Sequence, residues 1–395
     1  MKNHLQDYRY ETLCVSPKEY VLSFNDKYYK IEEPIYTILK KGQIAKTIEE
    51  LYNLVNIKNT FSKSELAELI EKKLLPIFKT KKSDINESAN SFWIKKEILT
   101  SNAVEKTAKP FSFLYGKIFY PVLFILLGIN IFLIYNPVNN GAQIESTTAF
   151  SILKWSISYF SLFIIIFFHE IGHAAAAIKS GIKPRSIGLG FYTILPVMYT
   201  DLTDAWKLTK ANKTKINLGG VYMQLIIGII LYAISYYTTS SYVKDVLTYL
   251  ITINVSIMVI NLFPLLKFDG YWILSDLAGM PNLMKESNAK IISFVTKKGP
   301  FDDEDKPSFK IYQNIILTIF SILRILFIVA MVIMVFIFVA FSVIKTYYFI
   351  SLLPYMELNT TTTIEILKKL VMIFIMYILT RKYTKMAKSY MFKRK

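Results

Sequence analysis

Two histidines and a glutamate interrupt an otherwise apolar stretch, FIIIFFHEIGHAAAA, at residues 163–177. In a helix, His169 and His173 share one face because they are four residues apart, so both imidazoles can reach one ion about 2.0 Å from each nitrogen. Glu170 lies beside them, where it can take a proton from a water molecule on the metal. This spacing predicts a zinc hydrolase site.

The alternative is a pair of buried histidines satisfied by hydrogen bonds, which is the better explanation for a lone histidine in a soluble helix. The apolar surroundings of His169 and His173 argue against it. A carboxylate at the centre of a membrane helix costs on the order of 2.5 kcal/mol or more, and a bound metal would offset that cost. We therefore predict Zn²⁺ as a cofactor.

A catalytic zinc needs a third protein ligand and one open position. The only other histidine is His4, close to the start of the chain, so we expect a carboxylate at the end of another span. Asp269 is best placed by depth, because Pro264 breaks the preceding helix and Gly270 lets the backbone bend. The candidates for this ligand are Asp269, Asp276, Asp201 and Asp204.

The composition indicates a protein that crosses a membrane several times. Hydrophobic residues make up 53% of the 395 residues and charged residues only 19%. Apolar runs of roughly 20 residues or more, the length that crosses a ~30 Å hydrocarbon core, are separated by short charged stretches. Six candidate spans cover residues 114–135, 152–178, 218–237, 246–263, 311–344 and 364–380.

Lysine and arginine are distributed unevenly between the connections. The segments 179–215, 264–310 and 381–395 hold seven each, whereas the alternate connections hold few. By the positive-inside rule, both termini of this multi-pass cell-membrane protein are predicted to be cytoplasmic. The run 311–344 is long enough for a hairpin, but a hairpin would export the basic tail, so we predict one long or kinked helix carrying Arg324.

The net charge of +18 does not indicate a nucleic-acid partner. Residues 1–109 hold 19 Lys and Arg against 15 Asp and Glu, so most of the excess lies in the membrane part, where lipid head groups are the expected partner. Cys14 is the only cysteine and cannot form an internal disulfide, which argues against a function in redox chemistry. The polar start of the chain predicts no signal peptide.

Residues 1–80 are predicted to form a small cytoplasmic α+β domain, here called the front domain. It has an extended stretch at 20–31 and helical stretches at 34–40, 47–55 and 63–75, with apolar residues recurring at three and four. Thr47 with Glu50 and Ser62 with Glu65 have the spacing of capping boxes. Residues 81–113 are predicted to be a linker or interfacial segment, 114–290 the membrane core, and 291–395 additional helices with a basic cytoplasmic tail.

The motif HEIGH, followed about 90 residues later by NLFPLLKFDG, resembles the site-2 protease family of membrane-embedded zinc peptidases. The resemblance covers about residues 114–290 and implies zinc bound by His169, His173 and Asp269, with Glu170 as general base. The segments YTDLTDAW and 262–283 resemble the branch of peptide zinc metalloproteases. Two departures are Tyr271, where a second glycine is usual, and Gln224 after two glycines, where a G-P and an asparagine are frequent, which leaves roles for Gln224 and Asn261 open.

The segment 186–199, SIGLGFYTILPVMY, is rich in glycine and aromatic residues and favours strands. Strand-like backbone at membrane depth is tolerated only against protein or a water-filled cavity. An edge strand there would hold an extended substrate, whereas a plain interfacial turn is the alternative. Asn261, Gly188 and Gly190 are the predicted substrate-binding residues.

The front domain resembles the PqqD-like fold, a winged helix that recognises leader peptides of ribosomally made natural products. The resemblance implies a groove that adds a peptide as a strand. A DNA-binding winged helix would need a basic stripe, for which the charge balance gives weak support. A dimerisation or docking module is a third possibility.

The fold class expected is an α-helical polytopic membrane protein with about six transmembrane helices and a winged-helix-like front domain. The function expected is intramembrane zinc metalloproteolysis in maturation or leader processing of a ribosomally made secreted peptide. Alternatives are regulated proteolysis of a membrane-anchored signalling protein, and a non-catalytic receptor or export partner, although loss of Glu170 would be expected for the last. Partners expected are a peptide or transmembrane-segment substrate, membrane lipid, and peptide export or modification machinery.

Overall fold

A computed structural model describes residues 3–352 except 18, 26, 56–61, 80–91, 136–147, 193–194 and 297–309; beyond 352 it describes only positions 363, 366, 367, 374, 377 and 381. The chain divides into two compact units, Met1–Leu317 and Thr318–Lys395. The first unit contains the front domain and the predicted site. The predicted span at 364–380 lies almost wholly outside the described residues.

The front domain begins with a three-stranded antiparallel sheet of order β1-β2-β3. Its strands are β1 (Glu11–Ser16), β2 (Glu19–Phe24) and β3 (Lys27–Ile31). The predicted extended stretch is thus the hairpin β2-β3, and the strand before it was not predicted. Alternation places Leu22 and Phe24 on the inner face, where they are buried with Leu5, Ile38 and Leu39 in a core that belongs to this domain.

Helices complete the front domain as the periodicity predicts. They are α1 (Glu33–Gly42), α2 (Ile48–Val55), α3 (Lys63–Glu68) and, after a π-helical segment (Leu69–Leu74), α4 (Leu75–Lys79). The capping box predicted at Ser62 and Glu65 is present. At the other predicted box, Thr47 accepts from the Glu50 amide, but the Glu50 carboxylate accepts from the amide of Lys46.

The segment predicted as a linker contains a strand. β4 (Phe92–Thr100) pairs antiparallel with β5 (Ser186–Tyr192), which pairs with β6 (Leu195–Asp201), giving the order β4-β5-β6. The predicted strand-like segment therefore forms a hairpin, with β5 in the centre of the sheet. The linker assignment missed β4 because its partner lies about 90 residues further along the chain.

Two helices follow β4 and form a bend. α5 (Ser101–Ala108) continues into a 3₁₀ segment (Lys109–Tyr115), and α6 (Phe119–Tyr135) turns away from this pair by 88°. Tyr115 lies at the bend, fully buried, and its hydroxyl donates to the carbonyl of Gly219 at 2.9 Å. The bend anchors the first apolar helix to the helix that lies beside the predicted metal site.

Three long helices build the membrane core. They are α7 (Thr148–Lys179), α8 (Lys210–Tyr237) and α9 (Ser241–Leu262). Ser240 and Thr209 cap α9 and α8 by accepting from main-chain amides. Among the described residues, four helices are long and apolar enough to cross a membrane, or five if the bent pair is one span. This agrees with a polytopic helical fold.

Beyond α9 the chain forms two short helices and one long helix. They are α10 (Asp269–Ala278), α11 (Leu283–Thr296) and α12 (Ile311–Leu352). α12 has 42 residues, so it is about 63 Å long. The run 311–344 is therefore one uninterrupted helix, as predicted, and no hairpin interrupts it.

We predict the membrane topology from the lysine and arginine asymmetry. Reporter fusions at Asn140 and Ser241 should report outside, whereas fusions at Lys210, Glu286 and Lys395 should report inside. An alkaline phosphatase and green fluorescent protein pair at each site gives both readouts. An outside report at Lys395 would show that the segment 364–380 does not span as predicted, since α12 is a single helix.

Candidate metal centre

The residues of the HEIGH motif lie on the cytoplasm-directed half of α7, by the predicted topology, and are buried. His169, Glu170 and His173 have exposed fractions of 5%, 7% and 6%. One helical turn separates the two imidazoles, and their Nε2 atoms are 3.0 Å apart. The i, i+4 spacing therefore brings both nitrogens to one point, as the sequence predicts.

Asp269 reaches the same point from another helix. It is the first residue of α10, and the chain between α9 and α10 runs from Phe263 to Phe268 without helix. A Cβ on Gly270 would overlap the carbonyl of Leu262, so only glycine permits this close return of the chain. Asp269 Oδ2 lies 3.2 Å from His169 Nε2 and 3.3 Å from His173 Nε2.

These three atoms fit a tetrahedral zinc site. With Zn–N and Zn–O bonds of about 2.0–2.2 Å, two ligands of a tetrahedron lie about 3.3 Å apart. The three observed separations, 3.0, 3.2 and 3.3 Å, are close to that edge length. Asp269 Oδ2 is buried and has no hydrogen-bond partner, which is the state of a carboxylate oxygen that a cation would satisfy.

The second nitrogen of each imidazole contacts an oxygen atom. His169 Nδ1 lies 2.9 Å from Gln224 Oε1, and His173 Nδ1 lies 2.8 Å from the main-chain oxygen of Ile216. A carbonyl oxygen only accepts, so each Nδ1 carries the proton and each Nε2 keeps its lone pair. Both lone pairs are thus directed to the point where Asp269 Oδ2 lies, as zinc ligation requires.

Close packing of α8 against α7 makes room for the His169 ring. A Cβ on Gly220 would lie 2.5 Å from His169 Nε2 and 2.6 Å from its Nδ1. Any larger residue at position 220 would therefore displace the imidazole. This contact explains why α8 has glycine at position 220, opposite the motif of α7.

Thr200 holds the carboxylate of Glu170. Its hydroxyl lies 2.7 Å from Glu170 Oε2 and 3.1 Å from the main-chain oxygen of the same residue. Thr200 belongs to β6, so the strand and the candidate base are in direct contact. Sequence reasoning did not single out Thr200, because its contact depends on how β6 lies against α7.

A cavity of about 660 Å³ surrounds these groups. Its lining joins the metal-ligand candidates to part of β6, to the start of α8 and to α10. Asn261 lies in this lining, with its Nδ2 3.3 Å from His169 Nε2. Within the described residues, β6 pairs only with β5, so its outer edge is open for another extended chain.

Gly188 and Gly190 do not lie at an open edge. They belong to the central strand β5, whose two edges pair with β4 and β6. A Cβ on Gly188 would lie 2.6 Å from the Tyr199 hydroxyl and 2.7 Å from the carbonyl of Lys96. The glycine thus accommodates Tyr199. A substrate cannot pair with the edges of β5, and substrate binding by Gly188 and Gly190 stays a prediction.

The other three carboxylates considered as metal ligands have different partners. Asp276 lies 3.3 Å from Lys213 Nζ, and Asp201 Oδ1 accepts from the amide and hydroxyl of Thr203 at 3.0 and 2.6 Å. Asp204 accepts from Arg185 at 3.1 and 3.2 Å. Among the described residues, only His169, His173 and Asp269 form a group that can hold a metal.

Asp204 also joins the front domain to the membrane core. The Tyr28 hydroxyl on β3 donates to Asp204 Oδ1 at 2.6 Å, and Lys207 Nζ lies 5.6 Å from the centre of the Tyr28 ring. Burial raises the pKa of Asp204, but the hydrogen bonds from Arg185 and Tyr28 outweigh it and hold this pKa below its usual range. An ion pair between Lys210 and Glu19, at 3.5 Å, reinforces the contact.

Two histidines and an aspartate that converge beside a glutamate, among helices of apolar sequence, are the donor set and base of a hydrolytic zinc site. Residues 157–297 match the sequence model of Peptidase family M50 and contain all four of these residues. This part of the chain is therefore similar to Peptidase family M50, which agrees with the resemblance to the site-2 protease family.

Two curated relatives are similar to parts of the chain. A zinc metalloprotease of Methanocaldococcus jannaschii is 28% identical over 154 residues, which are 38% of this chain and 42% of the relative. The protein YydH of Bacillus subtilis, provisionally named a peptide zinc metalloprotease, is 27% identical over 189 residues, which are 47% of this chain and 70% of the relative. No solved structure matches the chain significantly. Zinc is the metal that the family and the relatives' names imply.

We predict one zinc per chain, held by His169, His173 and Asp269. His169→Ala and Asp269→Asn should each lose it during purification, because two remaining ligands leave a labile site. Inductively coupled plasma mass spectrometry of the purified protein measures the stoichiometry. The matched control is Asp276→Asn, two turns along α10 in the same cavity, which should keep its zinc. Full zinc occupancy in Asp269→Asn would show that the third ligand is Asp201, Asp204 or Asp276 and not Asp269.

Proposed function

We propose that this protein is an intramembrane zinc metalloprotease that hydrolyses a peptide bond during maturation or leader processing of a ribosomally made secreted peptide. One observation carries the proteolytic part of the proposal. The Nε2 atoms of His169 and His173 and the Oδ2 atom of Asp269 converge in a buried cavity that Glu170 also lines. This is the donor set of a hydrolytic zinc site with a carboxylate base.

Bound zinc would supply a Lewis acid that polarises the scissile carbonyl and lowers the pKa of a water molecule. Glu170 would accept the proton of the attacking water and deliver it to the leaving amine nitrogen, so no net proton is gained or lost. The hydrogen bond from Thr200 keeps the carboxylate turned into the cavity. Asn261 Nδ2, also in the lining, would donate to the oxygen on which negative charge develops.

A peptide bond must be extended before it can be hydrolysed, because a helix shields its own carbonyl and amide groups. The open edge of β6 supports an extended mode of binding. Val197, Tyr199 and Asp201 of this strand line the cavity with the candidate base and ligands. A substrate paired with β6 would lie beside Glu170, because Thr200 of the same strand contacts the Glu170 carboxylate.

The position of the front domain supports a role in delivering the substrate. A second, smaller cavity lies between its sheet and the membrane core, lined by Glu19, Tyr20, Val21 and Lys30 of the front domain. This cavity and the catalytic cavity share four lining residues of the membrane core, Trp206, Lys213, Ser275 and Asp276. The sheet of the front domain is therefore separated from the cavity of the metal centre by one layer of side chains.

The front domain also has the architecture for peptide capture. β3 is an edge strand within the described residues, so it can pair with an added strand, as the PqqD-like resemblance implies. Tyr28 on β3 and Glu19 on β2 hold the face of the sheet against the membrane core, so a peptide would pair at an edge of the sheet, and we propose the edge of β3. Leader recognition at this edge is part of the proposal.

Glu170→Gln should keep zinc and lose cleavage. The substitution removes the base without removing a ligand, so we expect the turnover rate to fall by roughly 10² or more while zinc stoichiometry stays at one. The assay uses full-length protein in detergent and dye-quencher peptides that each carry one apolar segment, followed by fluorescence and mass spectrometry. Asp276→Asn, which alters another carboxylate of the cavity, is the control and should keep most of the activity. Wild-type rates in Glu170→Gln would refute the proposed base.

Removal of residues 1–80 should separate capture from chemistry. We expect the truncated protein to bind zinc as before and to cleave with a raised KM, because the front domain raises the local concentration of substrate. If a neighbouring gene encodes a short peptide, that peptide is the ligand for a titration of the isolated domain, which has its own core.

The same titration, run against duplex DNA at two salt concentrations, distinguishes peptide binding from DNA binding by the front domain. Strand pairing with a peptide should respond little to salt, whereas DNA binding should weaken steeply as salt rises. Salt-sensitive DNA binding without peptide binding would contradict the maturation role. It would leave the protease proposal standing, since that depends on His169, Glu170, His173 and Asp269.

A further inference from the structure

Three residues on one face of α8 contact the two histidines of α7. His173 contacts the main-chain oxygen of Ile216, His169 packs on Gly220, and His169 Nδ1 contacts the side chain of Gln224. Residues 216, 220 and 224 are four apart, as are His169 and His173, so the two helices keep this register over two turns. The outer contacts of both imidazoles therefore come from a single helix.

We propose that Gln224 is a positioning residue of the zinc site, which fixes the tautomer and orientation of His169. The inference rests on the proposed zinc site and deepens it by naming a residue that acts through a ligand. Gln224 is fully buried, and its Oε1 accepts the Nδ1 proton of His169 at 2.9 Å. That bond leaves the lone pair of His169 on Nε2, where the metal would bind.

The other end of the Gln224 amide determines its orientation. Its Nε2 faces the main-chain oxygen of Asn254 on α9 at 3.5 Å, and a carbonyl can only accept a hydrogen bond. A flipped amide would place two oxygens against each other and turn an NH₂ group toward His169. The imidazole would then need its proton on Nε2, which would block the metal position.

Asn254 on α9 forms a second hydrogen bond between α8 and α9. Its Nδ2 donates to the main-chain oxygen of Gln224 at 3.0 Å, and it is 1% exposed. The two buried amides thus bridge α8 and α9 reciprocally, each through the main chain of the other. Because both side chains are buried, the alternative for each amide nitrogen is an unsatisfied donor, which favours the observed orientation.

The two histidines differ in how they depend on side chains. The acceptor for His173 is a main-chain carbonyl, which no substitution removes, whereas the acceptor for His169 is the side chain of Gln224. The site therefore has one outer contact that a point mutation can delete. The competing explanation is that Gln224 serves only as a hydrogen bond between α8 and α9.

Two substitutions separate these explanations. Gln224→Met keeps the length of the side chain and removes both hydrogen bonds. Gln224→Glu keeps an oxygen facing His169 Nδ1 in either protonation state, but an ionised glutamate has no donor for Asn254. A positioning role predicts that zinc affinity falls about 10- to 100-fold in Gln224→Met and stays near wild type in Gln224→Glu. A purely interhelical role predicts that Gln224→Glu is no better than Gln224→Met.

The experiment uses full-length protein in detergent. Zinc affinity is measured by competition with a chromophoric chelator, and the unfolding temperature of the metal-free protein is measured alongside. Asn254→Ala, which weakens the contact between α8 and α9 without touching His169, should lower the unfolding temperature and leave zinc affinity nearly unchanged. Ser235→Ala, at a buried polar position elsewhere on α8, should leave zinc affinity unchanged.

Wild-type zinc affinity in Gln224→Met would overturn the inference, and so would equal losses in Gln224→Met and Gln224→Glu. If Gln224→Met does not fold, Gln224→Glu decides alone, because a tenfold loss there contradicts the positioning role and retained affinity supports it. The readout is independent of cleavage. Absence of proteolysis in the wild type would contradict the proposed function. It would not affect the test of Gln224, which depends only on the order of the zinc affinities.

Discussion

The membrane core is organised around three acceptor atoms that lie within 3.3 Å of one another in a buried place. Two imidazole lone pairs and a carboxylate oxygen repel one another unless a cation lies between them, and the apolar helices around them offer little solvent to screen that repulsion. The protein therefore needs contacts that fix each ligand through atoms other than the one that faces the metal position. Gln224 and the carbonyl of Ile216 hold the histidines, and the return of the chain at Gly270 holds the aspartate.

Those supporting contacts restrict the register between the helices more than the three ligands do. The register between α7 and α8 must be correct to within one residue, because Gly220 is the position that admits the His169 ring. Tyr115 adds a second restriction, since its hydroxyl bonds the carbonyl of Gly219, one residue from this contact. The bend between α5 and α6 is thus tied to the helix face that supports the metal site.

The parts that could be predicted from sequence are those set by local spacing. The i, i+4 histidines, the break at Pro264 with Asp269 behind it, the helical periods of the front domain and the unbroken run 311–344 all follow from residues close together in the chain. β4 could not be predicted, because its strand character depends on pairing with β5 about 90 residues away. For Gly188, the sequence predicted substrate binding but gave no sign that the Tyr199 side chain packs against this glycine.

Gln224 shows how a departure from a family pattern can be interpreted only in three dimensions. In sequence it stands out because an asparagine is frequent in this part of the resembling family, which left a role on substrate or oxyanion open. In the structure its amide oxygen points at His169 and its amide nitrogen at α9, so it contacts a ligand from behind and does not line the cavity. The longer side chain spans the distance from α8 to the imidazole while the main chains of α8 and α9 stay bridged by Asn254.

The connection between β6 and α8 links the two halves of the first unit. Thr200 contacts Glu170, Asp201 caps the turn at Thr203, and Asp204 accepts from Tyr28 of the front domain. Five consecutive residues therefore separate a candidate base from a contact with the domain proposed to capture the substrate. Because Arg185 at the start of the hairpin also binds Asp204, a shift of the front domain would move both ends of the β5-β6 hairpin together. The contact of the front domain at Asp204 is thus connected through β6 to Thr200, which holds the carboxylate of the candidate base.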